Sequence, residues 1–260
     1  MISNGKFYES QFEEATIELL REAHWQYAFG DDIHRKYTDP LIEEDLRNFL
    51  TVQYKDKNLT TSEMDSIVAN LRNTGGQNDY YALRNAFLLY RDGYDFAYSD
   101  GRDNPFRLEY IDFEHPDHNI FRCVNQFVME QGRENRRPDI LLFINGIPVC
   151  IIELKNPTKQ NATIHDAHTQ ICTRYMRDIP ALLKYCALAV ISDGAKNALG
   201  TTYTPFEFFY EWKKIENEDK AGKGLDTLRT LIRGALSPER ILEILRDYVL
   251  SLIHISEPTR

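Results

Sequence analysis

The sequence predicts a mixed α/β (α+β) fold, on three observations. The chain has 260 residues, which suits one large domain or one domain with an appendage. Residues 1–92 carry apolar side chains at helical spacing, whereas segments rich in aromatic and β-branched residues begin near residue 94. With 42% hydrophobic and 27% charged residues, the chain can bury a core and is not disordered.

The first third of the chain, residues 1–92, is predicted to be mostly helical. Ser10 and Glu13 have capping-box spacing and precede an apolar stripe. Asp39 and Pro40 are typical of the N-cap and first residue of a second helix. Two more helices are predicted, at 62–73 and 78–92.

The middle of the chain carries the strand signals. Asn145-Gly146 lies between two apolar runs within residues 136–157 and is typical of a hairpin turn. We assign residues 93–215 to a core that forms one domain with residues 1–92. Other strands are predicted near 94–98, 107–113, 119–129, 186–192 and 198–212, and a helix at about 163–176.

The C-terminal part is predicted to be a helical connector at 225–250, with its last helix starting at Ser237-Pro238. Residues 251–260 do not continue this pattern. We interpret them as a non-native tail, with a genuine disordered C-terminus as the alternative.

Charge and cysteine usage restrict the function classes. The net charge is −9, whereas a self-sufficient nucleic-acid binder is usually basic. If the chain acts on DNA, another component is expected to supply much of the phosphate attraction. The four cysteines are widely spaced, which argues against a zinc ribbon and suits a reducing cytoplasm. No secretory signal or membrane helix is expected, so we predict a cytoplasmic protein.

Charged residues stand at the ends of the apolar hairpin. Asp139 opens one strand, and Glu153 and Lys155 close the other. A divalent cation between the two carboxylates would keep both ionised, and Mg²⁺ prefers such hard oxygen ligands. The backbone carbonyl of Leu154 is a candidate third protein ligand. Lys155 would then stabilise negative charge that develops on an attacked phosphate.

The hairpin register tests this hypothesis. A two-residue loop at 145–146 would pair Asp139 with Ile152 and turn Glu153 to the other face. A three-residue loop at 144–146 would place both carboxylates on one face. We therefore predict a three-residue loop or an equivalent bulge.

The hairpin charges belong to a longer series of motifs. Pro138-Asp139, followed by Glu153-Leu154-Lys155, has the form of the PD-(D/E)xK nuclease motif. The segments that surround it closely resemble the R (restriction) subunit of type I restriction enzymes, over residues 5–250. They are RRPDI at 136–140, NGIP at 145–148, IELKNP at 152–157, NQF at 125–127, ISDG at 191–194 and Trp212.

This resemblance implies a restriction-endonuclease-like core, in which helices flank a central mixed β-sheet. It implies catalytic roles for Asp139, Glu153 and Lys155, with Mg²⁺ held by Asp139, Glu153 and the Leu154 carbonyl. The implied activity is that of a type I site-specific deoxyribonuclease acting on double-stranded DNA.

The resemblance also implies partners. They are a methyltransferase subunit, a specificity subunit and an ATP-driven motor further along the same polypeptide. The chain contains no GxxxxGK[ST] motif, so we expect ATP to act only in the full-length subunit and not to bind this chain.

Further positions have alternative interpretations. Glu13 or Glu9 is a candidate for the acidic residue that related nucleases place near the metal. Alternatively, Glu13 caps the first helix with Ser10. Relatives carry a Gln-x-x-x-Tyr element, but Gln170 and Tyr175 are five residues apart. On an α-helix this spacing separates their faces, so either the element has drifted or only one residue serves. Gln170 could orient Lys155 or touch DNA, whereas Tyr175 could fill the core.

Basic and histidine residues complete the candidates. Arg136 and Arg137 form either a phosphate-binding rim or a solvated face with ordinary ion pairs; Lys159, Arg174 and Arg177 share these alternatives. His115 and His118, like His165 and His168, are interpreted as surface histidines, because no third ligand with zinc spacing is apparent.

Two rival functions remain at this point. The chain could be a non-catalytic docking module of the restriction complex, or a standalone PD-(D/E)xK nuclease. Intact Asp139, Glu153 and Lys155 argue against a dead nuclease, and the R-subunit context disfavours the standalone enzyme.

Overall fold

A computed structural model describes the backbone of residues 4–155, 163–213 and 224–249 and the side chains from Ser10 onward. The proposed tail at 251–260 and Lys159 lie outside these residues. The helices are α1 (Asn4–Glu22), α2 (Glu43–Gln53), α3 (Thr61–Asn73), α4 (Asp79–Asp92), α5 (Ile164–Thr169), α6 (Met176–Asp178), α7 (Pro180–Leu183), α8 (Leu225–Ala235) and α9 (Pro238–Glu243). A π-helical turn, Gln170–Tyr175, joins α5 to α6, and another, Ile244–Tyr248, extends α9.

Ten strands form one large sheet and two small ones. They are β1 (Gln26–Phe29), β2 (Tyr94–Phe96), β3 (Phe106–Leu108), β4 (Phe121–Asn125), β5 (Met129–Gln131), β6 (Glu134–Arg136), β7 (Ile140–Ile144), β8 (Ile147–Leu154), β9 (Leu188–Ser192) and β10 (Asn197–Gly200). The six-stranded sheet has the order β1-β4-β7-β8-β9-β10; β2 pairs with β3, and β5 with β6.

The large sheet is mixed. The β1–β4 and β8–β9 pairs are parallel, and the other pairs are antiparallel. The prediction of a mixed α/β fold is therefore confirmed, and the architecture is consistent with a restriction-endonuclease-like core. The division at residue 92 stays a prediction.

Both faces of the sheet are covered by helices. The core on one face contains side chains of α1–α4, α8 and α9 together with Leu142 and Ile152. The core on the other face contains side chains of α5 and α7 and of the π-turn between α5 and α6, with Leu141 and Ile151. Every residue of β7 and β8 is consequently buried, as their apolar sequences predict. No helix in the described segments is long and apolar enough to cross a membrane.

The β7–β8 hairpin contains a bulge. Leu142 pairs with Cys150 but Phe143 pairs with Pro148, which leaves Val149 as an extra residue in β8. Val149 and Cys150 both contribute to the same core, although they are neighbours in sequence. The bulge lies next to Pro148, which has no N–H for the ladder. Of the two alternatives for the hairpin register, the equivalent bulge is confirmed.

The three-residue loop is wrong. Ile144 pairs with Ile147, so the turn has two residues, Asn145 and Gly146, with φ values of 50° and 77°. Two consecutive positive φ angles are the condition for a type I′ turn. A side chain at Gly146 would also collide with the residue that precedes α2, because its Cβ atom would lie 2.1 Å from the carbonyl oxygen of Ile42.

Two helix starts were predicted wrongly. Helix α1 already includes residues 4–9, so Ser10 lies inside it and does not cap it. Helix α2 begins at Glu43, and Asp39 instead accepts hydrogen bonds from the Leu41 amide and the Arg72 guanidinium. Residues with capping preference also serve turns and ion pairs, so their presence alone does not locate a helix start. Helices α3 and α4 agree with prediction, whereas β1 was not predicted.

Asn145 is expected to be a main stabiliser of the hairpin turn. It is fully buried: its side-chain oxygen accepts from the Ile120 amide, and its amide group donates to Tyr110 O and Asn119 Oδ1. Asn145→Ala should lower the free energy of unfolding by about 3 kcal/mol, because buried polar groups lose partners at a positive-φ position. Urea denaturation measures this.

Asn145→Gly is the matched variant, because it loses the same hydrogen bonds without the strain of a side chain at positive φ. It should be less destabilised than Asn145→Ala. A change below about 0.5 kcal/mol in Asn145→Ala would contradict the assigned role.

Candidate active site

Two strand ends bring the predicted carboxylates together. Asp139 directly precedes β7, and Glu153 lies near the end of β8. Because Ile140 pairs with Ile152, continuing the antiparallel register places Asp139 opposite Glu153, on the same face of the sheet. The Leu154 amide donates to Asp139 Oδ2 at 2.7 Å and holds this side chain against β8.

Glu153 is the more deeply buried of the two carboxylates. Its side chain is 1% exposed; Oε1 accepts from Lys155 Nζ at 2.8 Å, and Oε2 is buried without a hydrogen-bond partner of acceptable geometry. Burial and the charge of Asp139 raise the pKa of Glu153 to about 8, although Lys155 and the Tyr175 hydroxyl lower it in part. The carboxyl therefore ionises at a cost unless a further cation approaches.

A line of hydrogen bonds fixes Lys155. Besides its bond to Glu153, Lys155 Nζ donates to Gln170 Oε1 at 2.7 Å. Gln170 Nε2 in turn donates to the Tyr175 hydroxyl at 2.7 Å. Tyr175 is 3% exposed, and burial followed by the charge of Glu153 raises its pKa. The four side chains form one connected polar group at the end of β8.

The π-helical turn explains why Gln170 and Tyr175 both belong to this group. The turn spans these two residues and has i→i+5 geometry instead of i→i+4. The extra residue compensates for their five-residue spacing, so they meet although an α-helix would separate them. The five-residue spacing therefore does not separate the two side chains, and the roles of Gln170 and Tyr175 stay predictions.

The residues present fit a hard divalent cation. The two carboxylates share one face, and one buried carboxylate oxygen has no partner. Among the described residues, no histidine or cysteine forms a ligand group with these two carboxylates, and Mg²⁺ prefers oxygen donors. The Leu154 carbonyl stays a predicted ligand, since the described contact of this residue is through its amide.

Glu13 lies at the neighbouring strand end. Its Oε1 atom accepts from Asn125 Nδ2 at 2.7 Å and from Gln126 Nε2 at 3.0 Å. Asn125 is the last residue of β4 and pairs with Ile140, next to Asp139. The capping explanation of Glu13 is wrong, and its catalytic role stays a prediction.

The candidate basic rim divides into two pairs of arginines. Arg136 and Arg177 both form ion pairs with Asp178, whose side chain is 2% exposed. Hydrogen bonds from Arg177, then from Arg136, lower the pKa of Asp178. Sequence reasoning missed Asp178, because only folding brings Arg136 to it. These two arginines therefore form ion pairs, and their part in a phosphate-binding rim stays a prediction.

Arg137 and Arg174 differ from the first pair. Both are exposed, and neither forms an ion pair with a described residue. They line a surface depression that also includes Gln170 and Tyr175, so it adjoins the polar group around Lys155. The structure therefore leaves two arginines available beside the carboxylates.

Comparison with known proteins adds the family. Residues 6–208 match the family model described as type I restriction enzyme R protein N terminus. The chain is 29% identical to the type I restriction enzyme HindI endonuclease subunit of Haemophilus influenzae, over 93% of this chain and 24% of that protein. It is 31% identical to the EcoprrI endonuclease subunit of Escherichia coli, over 48% of this chain and 40% of that protein.

The chain is also 24% identical to the SsaAORF53P endonuclease subunit of Staphylococcus saprophyticus, over 80% of this chain and 21% of that protein. The chain thus spans about a quarter of the length of the Haemophilus relative and about a fifth of the Staphylococcus one. The family model covers most of the chain and includes every residue of the carboxylate–lysine cluster. The chain therefore belongs to the type I restriction enzyme R protein family and corresponds to the N-terminal region of that protein.

Proposed function

We propose that this chain is the nuclease region of a type I restriction enzyme and hydrolyses phosphodiester bonds of double-stranded DNA. The observation that carries the proposal is Glu153: a buried carboxylate with one unpartnered oxygen, level with Asp139 and bonded to Lys155. The names of the relatives as endonuclease subunits support it.

Mg²⁺ is the proposed cofactor, held by Asp139, Glu153 and the Leu154 carbonyl. Bound there, it would supply charge stabilisation at the phosphate and lower the pKa of a water. The raised pKa of Glu153 supports the assignment, because a cation would relieve the repulsion between two close carboxylates.

Lys155 is proposed to act on the phosphate. Its ammonium group is held between Glu153 and Gln170, so its position is fixed before substrate arrives. There it would stabilise the negative charge that accumulates as water attacks phosphorus and the bond to the leaving oxygen breaks. Gln170 and Tyr175 are proposed to position Lys155 and Glu153.

Arg137 and Arg174 are proposed to bind DNA phosphates beside this centre. Both are exposed in the depression that includes Gln170. Arg136 and Arg177 line the same depression, but each is already paired with Asp178. Phosphate contacts of this kind orient DNA without reading its sequence.

The remaining functions of a restriction enzyme are proposed to reside elsewhere. The net charge of −9 disfavours independent tight binding to DNA. We propose that specificity and methyltransferase subunits supply recognition, and that an ATP-driven motor in the rest of the full-length subunit moves the DNA. The proposed location is the cytoplasm.

Substitution of the central residues tests the nuclease proposal. In the full-length subunit within its complex, Asp139→Asn, Glu153→Gln and Lys155→Met should each reduce DNA cleavage at least ~100-fold, because each removes charge from the reacting centre. ATP hydrolysis should remain. Plasmid cleavage and phosphate release measure the two activities.

Arg229→Ala serves as a control, since this arginine pairs with Glu22 on the surface and should leave both activities unchanged. If the Asp139, Glu153 and Lys155 variants all cleaved DNA at the wild-type rate, the nuclease assignment would be wrong. The docking module would then be favoured.

The pKa of Glu153 predicts a pH-dependent stability. Its folded pKa of about 8 exceeds the ordinary value of 4.5, so the folded state binds this proton more tightly. Metal-free wild type should therefore lose stability relative to Glu153→Gln as pH rises from 5 to 8. Thermal unfolding across this pH range measures the difference in melting temperature between the two proteins. At pH 8, Mg²⁺ should make wild type the more stable of the two.

Glu63→Gln is the matched control. Glu63 is buried and bonded to Arg102, which lowers its pKa to about 2, so its titration lies below this pH range. Its gap from wild type should stay constant between pH 5 and 8. A constant gap for Glu153→Gln as well would show that Glu153 titrates normally.

The arginine proposal predicts a change in salt dependence. In metal-free buffer, Arg137→Ala and Arg174→Ala should each weaken DNA binding and reduce the slope of log affinity against log salt by about one. Fluorescence polarisation with a labelled duplex measures both quantities. Arg177→Ala, which breaks an existing ion pair with Asp178, should change the slope less. Equal slopes for all variants would place the DNA on another surface.

A further inference from the structure

A second cluster of metal-ligating side chains lies away from the carboxylates. Asp112, His115 and His118 come from one short segment before β4. Asp112 Oδ2 lies 2.9 Å from Nδ1 of His118 and 3.4 Å from Nδ1 of His115. One candidate ligand atom from each residue lies within 4.8 Å of the other two. Three potential ligand atoms thus lie close together.

The cluster is located at the turn end of the β7–β8 hairpin. Asn119, the residue after His118, accepts from the side chain of Asn145 in the turn. Asp139 and Glu153 lie at the opposite end of the same two strands. The two clusters are therefore separate sites.

Asp112 is held in place before any ion binds. Its side chain is 7% exposed; Oδ1 accepts from the amides of Glu114 and His115, and Oδ2 accepts from Gln53 Nε2 at 3.2 Å. Asn119 closes the segment, because its side chain exchanges hydrogen bonds with the backbone of Asp112. The carboxylate is thus fixed with Oδ2 facing the two imidazoles.

The two imidazoles are accessible. Their rings stack with centroids 4.8 Å apart and planes at 24°, and the side chains are 63% and 49% exposed for His115 and His118. An ion can reach them from solvent, and water can complete its coordination. Two imidazoles and a carboxylate suit Zn²⁺ and neighbouring transition metals, whereas Mg²⁺ prefers oxygen ligands alone.

We propose that Asp112, His115 and His118 bind one Zn²⁺ ion, with water in the remaining coordination position. The ion would take a lone pair on Nδ1 of each imidazole and on Oδ2 of Asp112, and any proton on Nδ1 would leave to solvent. The site would link α2, through Gln53, to the helical turn after α9, through the contact of Glu114 with Arg246 at 3.7 Å. It would stabilise this junction and take no part in the proposed cleavage.

The sequence alone did not indicate this site. Asp112 lies three residues before His115, but aspartates near histidines are common, and the spacing matches no zinc motif. Only the turn at Pro116–His118 brings His118 back to the carboxylate.

Zn²⁺ titration of the 260-residue chain tests the proposal. The protein is first stripped with a chelator and carries Glu153→Gln, so that the carboxylate cluster does not compete for the ion. Calorimetry should show one Zn²⁺ per chain, and the melting temperature should rise by several degrees. His115→Asn combined with His118→Asn should weaken Zn²⁺ binding at least tenfold and abolish the rise.

The other histidine pair with the same spacing provides the control. Among the described residues, His165 and His168 belong to no group of three potential metal ligands, and His168 contacts Thr204 O. His165→Asn with His168→Asn should leave Zn²⁺ binding unchanged. If the His115/His118 double variant is destabilised without metal, His118→Gln alone serves in its place. It keeps His115 and should also lose tight Zn²⁺ binding.

The proposal is overturned if the parent chain shows no saturable Zn²⁺ binding at micromolar concentrations, or if both histidine pairs contribute equally. Mg²⁺-dependent cleavage should persist in the His115/His118 variant of the otherwise wild-type subunit. This outcome separates failure of the zinc site from failure of the proposed nuclease function.

Discussion

The pairing of β7 with β8 is the constraint on which the candidate site depends. Both strands are buried on both faces, so their register decides which core each side chain enters. The extra residue beside Pro148 shifts that register by one position. Without it, Glu153 would face the core opposite to Asp139, and its carboxylate would lie among aliphatic side chains. One bulge near the turn thus determines which side chains meet at the far end of the hairpin.

This arrangement is electrostatically unfavourable without a cation. Glu153 is buried and faces Asp139, so ionising both carboxylates would place two negative charges in a poorly solvated space. Lys155 offsets this repulsion only in part, since one carboxylate oxygen keeps no partner. The π-helical turn adds support by bringing Gln170 and Tyr175 to the same place. A centre that is unfavourable without a cation and held rigidly by its neighbours is well suited to binding one.

Charge is distributed unevenly in this R-protein region. The chain as a whole is acidic, yet four arginines gather beside the carboxylates, and buried Asp178 holds two of them. The remaining two make the local surface positive without making the whole chain a strong DNA binder. This pattern supports the proposal that other parts of a larger protein deliver the DNA. The chain spans about a quarter of the length of the Haemophilus relative.

Features that depend on neighbours along the chain follow from the sequence alone. These were the Asn145-Gly146 turn, the apolar strands around it, helices α3 and α4, and the positions of Asp139, Glu153 and Lys155. Features that depend on distant groups required the folded chain: which face Glu153 occupies, which partner binds Glu13, how Gln170 meets Tyr175, and how His118 reaches Asp112. The physical reason is that a one-residue insertion in a strand or helix changes the direction of every later side chain, whereas local composition at the insertion hardly changes.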